Sequence, residues 1–123
     1  MTEPVGRLGS VALDCKDPRA LAAFWAAILG RQTSIETDDF CAVDLGAPLL
    51  VTVRVPDHQP PTWPGGTPKQ FHLDVAVTDL DRAERRALAA GATKATDQPN
   101  PDRWRVLLDP AGHPFCLTTL IPA

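Results

Sequence analysis

Apolar and polar positions alternate from Arg7 to Cys15. Val11, Leu13 and Cys15 fall on one side and Ser10, Ala12 and Asp14 on the other, the two-residue period of a half-buried strand. The period lengthens after Asp17-Pro18. Leu21, Phe24, Trp25, Ile28 and Leu29 recur at three- and four-residue steps, one apolar stripe that predicts a helix ending near Leu29. Asp17 offers a side-chain oxygen to orphan N–H groups, Pro18 is preset for the first helical position, and Gly30 accepts the left-handed conformation that stops a helix. Three strand-like stretches follow, near Gln32 to Glu36, Phe40 to Leu45 and Leu49 to Val55, the last two joined by a turn at Gly46-Ala47. The order is βαβββ.

The second half repeats it. Phe71, Leu73, Val75 and Val77 alternate with His72, Asp74, Ala76 and Thr78; Asp79 then caps a helix from Leu80 to Ala90 that stops at Gly91. Strands Ala92 to Thr96, Trp104 to Leu108 and Phe115 to Leu120 complete the set, with Asp109-Pro110-Ala111-Gly112 as turn chemistry between the last two. Asp17 and Asp79 are 62 positions apart and Gly30 and Gly91 are 61 apart, the spacing of an internal duplication. The predicted fold class is α+β, two tandem βαβββ modules at residues 7–55 and 71–120 within one domain spanning 1–123. The linker, residues 56–70, carries five prolines and two glycines, too few donors for regular structure. Trp63 in its middle is a candidate clamp on a ligand or a partner.

Strand alternation also predicts a site. In each module the large apolar side chains of the first strand belong to the helix, leaving Ser10, Ala12 and Asp14 in one and His72, Asp74 and Ala76 in the other to face away. The last strands are expected to add Leu50, Thr52 and Arg54, then Cys116 and Thr118, giving a small, polar surface on which a ligand would sit. Within it, Asp74 can orient the His72 imidazole as an acid or base, with Cys116 a nucleophile or proton donor. Trp63, Trp104 and Arg54 supply stacking and a charged anchor for a bound molecule. His58 and His113 read as solvent-facing loop residues.

The stretches LGSVALDCKDPRALAAFWAAILG, FHLDVAVTDLDRAERRALAAGA and WRVLLDPAGHPFCL, together with the duplication, resemble the vicinal oxygen chelate superfamily, in its glyoxalase-like and bleomycin-resistance branch. The resemblance covers nearly the whole chain. It implies a curved eight-stranded sheet around a cavity and a homodimer. In metal-using members two His and two Glu bind one divalent ion. Their positions carry onto Ser10, Leu50, His72 and Cys116, of which only His72 matches. A leucine ligates nothing, and the oxygen and imidazole donors that suit iron, manganese or nickel are mostly gone. No metal or other cofactor is therefore expected. A divalent ion would find only His72 and Cys116, fewer than the three protein ligands of a catalytic zinc.

Composition narrows the function classes. Twelve Lys and Arg against fifteen Asp and Glu leave a net charge of −3, no footprint for nucleic acid or an anionic membrane. Three cysteines at wide spacing contain no CxxC pair, residues 1–10 lack the plan of a signal peptide, and the longest apolar run has about half the length of a bilayer span; a cytoplasmic protein is expected. No glycine-rich phosphate loop or serine elbow appears. Three readings stay open. The first is a metal-independent lyase or isomerase, or a ligand binder, acting on a small organic compound. The second is a non-catalytic drug- or metabolite-binding protein like the bleomycin-resistance members, and the third a divalent-metal lyase or dioxygenase. A domain whose dimer is its function is a further, non-ligand possibility.

Overall fold

The structure is a computed structural model describing Pro4, residues 6–62 and residues 72–122. Trp63 and Phe71 lie outside the described residues, as does most of the second half of the linker. The chain divides into two compact units, residues 1–58 and 59–123, with the boundary inside the proline-rich linker.

The first unit runs β1 (Ser10–Cys15), α1 (Pro18–Leu29), β2 (Thr33–Glu36), β3 (Phe40–Val43) and β4 (Leu49–Arg54). Its sheet has the order β1-β4-β3-β2, with β1 and β4 parallel and the other pairs antiparallel. The helix begins where the sequence demands it: the Ala20 N–H donates to Asp17 Oδ1 at 3.1 Å, and Pro18 fills the first position. It ends at Gly30, whose φ of +63° sits in the left-handed region and whose N–H donates to the Ala26 carbonyl. Leu21, Ala22, Phe24 and Trp25 are buried, with the Phe24 and Trp25 rings edge to face at 5.3 Å. Leu13, Cys15, Cys41, Val43 and Leu50 join them in the core. Each large side chain withdrawn from water contributes on the order of 1.5–3 kcal/mol.

The second unit holds β5 (Leu73–Ala76), α2 (Leu80–Ala90), β6 (Thr93–Lys94), β7 (Trp104–Leu108) and β8 (Pro114–Thr118), in the sheet order β5-β8-β7-β6. β5 and β8 are parallel and the other pairs antiparallel, as in the first unit. The Arg82 N–H donates to Asp79 Oδ1 at 3.0 Å, so the second cap forms as the first does. β6 is shorter than the expected Ala92 to Thr96; the Ala95 N–H still donates to the Val106 carbonyl, and the Gln98 side chain adds hydrogen bonds beyond it. Its Oε1 accepts from the Val106 N–H, and its Nε2 donates to the Ala95 and Val106 carbonyls. In the turn before β8, Asp109 Oδ1 accepts from the N–H groups of Ala111 and His113. Gly112 there has a φ of +90°, and a Cβ on it would lie 2.7 Å from the Pro60 Cβ, so the linker proline seats against a position that only glycine fills. His58 is 7 % exposed rather than solvated, the linker having folded its start back onto the first unit.

Candidate functional site

In the second unit, cross-strand pairing decides which side chains share a face. Arg105, Leu107, Phe115 and Leu117 fall on the α2 side, where Arg105 meets Asp81 and Glu84 of the helix. Trp104, Val106, Cys116 and Thr118 take the other face, with Asp74 opposite Cys116 in the β5–β8 register. His72, just before β5 and two residues from Asp74, falls on the same side. The result is a cleft of about 340 Å³ lined by His72, Asp74, Trp104, Cys116, Thr118, Leu120 and Ile121. Leu120 and Ile121 are exposed large apolar side chains, and with Trp104 they give the cleft an apolar lining beside its polar groups.

Among those polar groups His72 Nε2 lies 3.3 Å from Asp74 Oδ1, with the two side chains 34 % and 44 % exposed. Cys116 is 5 % exposed and packs with Ala95 and Val106 against Trp104. One donor atom from each of His72, Asp74 and Cys116 lies within 4.8 Å of the others. The arrangement suits moving a proton between an imidazole and a small molecule, or holding a cation. The nearest strong charges on the sheet face the other way. Arg105 donates to Asp81 at 2.6 Å, and that hydrogen bond and its charge hold the Asp81 carboxyl below its usual range and the Arg105 guanidinium above its own. Arg105 is therefore a clamp between β7 and α2.

The first unit builds its corresponding face differently. Ser10, Ala12 and Asp14 pair in register with Leu49, Val51 and Val53. Leu50 and Thr52, expected on that surface, turn to the α1 side instead: Leu50 is in the core, and the fully buried Thr52 hydroxyl donates to the Pro18 carbonyl at 2.8 Å. Arg54 shares their side, at the exposed end of β4. The reason is that Leu49 to Val53 is apolar throughout except Thr52, so alternation gives two faces with nothing to tell them apart, and a one-residue slip exchanges them. The ladder makes Val51, opposite Ala12, the counterpart of Cys116, opposite Asp74. Neither Val51 nor Leu50 can ligate a metal. A donor set of Ser10, a valine or leucine, His72 and Cys116 does not fit the four-ligand centre implied by the resemblance. What sequence reasoning missed is that Leu120 and Ile121, just past the end of the chain's last strand, line the same cleft.

A family model described as Glyoxalase-like domain matches residues 10–118. Among solved structures, a glyoxalase/bleomycin resistance protein/dioxygenase family enzyme from Burkholderia phytofirmans PsJN has a TM-score of 0.70 at 23 % identity, covering 94 % of this chain and 100 % of that one. Bleomycin-binding protein from Streptomyces verticillus, complexed with copper(II)-bleomycin, has a TM-score of 0.58 at 22 % identity, with 96 % and 98 % covered. Fosfomycin resistance protein FosX from Mesorhizobium loti has a TM-score of 0.65 at 14 % identity, with 99 % and 95 % covered. At such identities the likeness is one of fold. Among curated proteins, an uncharacterized protein of Mycobacterium tuberculosis H37Rv is 50 % identical over 60 residues, 46 % of this chain and 34 % of the relative. The match thus spans about a third of that relative's length.

Proposed function

The chain belongs to the glyoxalase-like domain family, and on that footing we propose that it takes a small organic molecule into the cleft of residues 59–123 and transfers a proton on it, in the manner of a metal-independent lyase or isomerase. The observation that carries the reading is one cleft whose lining combines apolar Trp104, Leu120 and Ile121 with the polar groups of His72, Asp74, Cys116 and Thr118. Its volume of about 340 Å³ suits a small ligand, at the lower end of the roughly 300–1,000 Å³ of such sites. Trp104 stacks on a flat or apolar part of the molecule, His72 takes or gives the proton, and Asp74 fixes the imidazole's orientation. Cys116 and Thr118 touch the reacting end. Among the described residues no helix is long and apolar enough to cross a membrane, and the net charge of −3 gives no basis for a nucleic-acid partner.

A second reading, binding without chemistry, is favoured by the same lining, since stacking on Trp104 needs no proton transfer. A thermal-shift screen of small organic compounds, followed by turnover assays on those that bind, separates the two. Ligands stabilise the folded chain by mass action, and Trp104→Ala should remove that shift. His72→Ala should keep it while abolishing turnover; if bound compounds are never converted, the chain is a binder. A shift that survives Trp104→Ala places the ligand elsewhere and sinks the proposal. The homodimer implied by the resemblance belongs to this reading too, and elution at the 13.2 kDa of one chain would remove it.

A further inference from the structure

Resting on the reading that the cleft of residues 59–123 takes a small organic molecule, we propose that the molecule it selects is a protonated amine on an aromatic or apolar body. Asp74 holds the ammonium group, Trp104 holds the body, and carboxylates and phosphates are turned away.

Charge and placement carry it. Among the described residues the cleft is lined by one carboxylate, Asp74, and by no Lys or Arg. The cations of the adjoining strands turn to α2 instead, Arg105 of β7 meeting Asp81 and Glu84, and Lys94 of β6 meeting Glu84. The state of His72 does not alter the outcome. With Asp74 ionised, a protonated imidazole 3.3 Å away leaves the pair neutral and an unprotonated one leaves it negative, so in neither state does the pair offer an anion a net positive charge. A thiolate at Cys116 adds only negative charge. Asp74 is 44 % exposed, and a carboxylate has two oxygens with about four acceptor directions, so its contact with His72 leaves capacity to accept from an ammonium. Strand register supplies the second half. Asp74 on β5 pairs with Cys116 of β8, and Trp104 on β7 pairs with Thr118 of β8. The two flank β8, with backbones two strand spacings or about 10 Å apart across the sheet, which suits a molecule whose charge sits a few bonds from its ring. An indole is also the best aromatic face for a cation, and exposed Leu120 and Ile121 extend the apolar lining.

The test is a ligand-observed NMR titration of the full, reduced chain with three probes that share one ring: 2-phenylethylamine, 2-phenylethanol and phenylacetate. The amine should bind at least about tenfold more tightly than phenylacetate, with the alcohol between them, since a hydrogen bond to a charged partner is worth roughly 10- to 100-fold in affinity. Asp74→Asn, at an exposed position and of unchanged shape, should lower the amine to the affinity of the alcohol and leave the alcohol itself as it was. Asp74→Glu, which keeps the charge, should preserve the order amine, alcohol, acid. Trp104→Ala should weaken all three, and Arg86→Gln on the exposed side of α2 should change nothing. Phenylacetate binding as tightly as the amine, or an amine preference that survives Asp74→Asn, would overturn the proposal. If Trp104→Ala still weakens binding in that event, the cleft remains the site and only the ligand class is wrong. Binding that Trp104→Ala leaves untouched places the probes outside the cleft and sinks both readings. No binding of any probe overturns the amine assignment alone, because the wider thermal-shift screen still tests the cleft.

Discussion

The two units share one plan and use it for different ends. Moving 62 positions along the chain from α1 to α2 exchanges Leu21 for Ala83, Phe24 for Arg86, Trp25 for Ala87 and Ile28 for Ala90. The first helix is therefore held by four deeply buried positions from Leu21 to Trp25, while the second buries only Ala87 and is tied to its sheet by Arg105 through Asp81 and Glu84. The faces turned away from the helices differ in the opposite sense. Where the second unit carries His72, Asp74 and Cys116, the first carries Ser10, Ala12 and Val51. Partly buried titratable groups cost desolvation, and a duplicated chain can place them in one copy while the other keeps the larger core.

Three measurements break or sharpen that contrast. Trp25→Ala should cost about 3–5 kcal/mol of stability, the usual penalty for emptying a large aromatic site, read by denaturant unfolding. A cost below about 1 kcal/mol would mean that the first helix is not held by its apolar stripe. Gly112→Ala should cost about 1–3 kcal/mol, because alanine is strained at a φ of +90° and its Cβ would meet Pro60 at 2.7 Å. Here the melting temperature is the readout, and an unchanged value would show that the linker proline does not stay on the turn. The smallest effect belongs to the ionic tie of the second unit. The folded-state pKa of Asp81 is depressed below its ordinary 3.8, first by the Arg105 hydrogen bond, so its contribution is present above that value and is lost as pH falls through the folded pKa. Asp81→Asn should therefore melt slightly below the parent chain near neutral pH, with the gap closing in acid below the ordinary carboxylate range. Because the pair is exposed on the Asp81 side the gap should be small, and a gap that persists in acid would show that the clamp is not ionic.

How far the chain could be read without its structure differs from element to element. Both helices start and stop where Asp17, Gly30, Asp79 and Gly91 predict, because caps and left-handed glycines act on their own few neighbours. β5 was as legible, since His72 and Asp74 stand out against Leu73 and Val75. β4 was not, and the surface expected to include Leu50, Thr52 and Arg54 turned over with it. β6 shrank to Thr93–Lys94, and Gln98, two residues past the expected end of the strand, supplies hydrogen bonds to Val106 that a strand residue would otherwise make.

What the sequence alone determined was everything carried by near neighbours: the duplicated βαβββ order, the caps, the turns, and the presence of His72 and Asp74 on one side of a strand. The structure decided what depends on register between distant segments: that Trp104 and Cys116 come to that same side, that Thr52 reaches the Pro18 carbonyl, and that Arg105 clamps α2. The division has one physical cause. A period of two residues states that a strand has two faces, while which face meets a helix and which lines a cleft is settled by partners tens of residues away, through cross-strand pairing that local spacing does not encode.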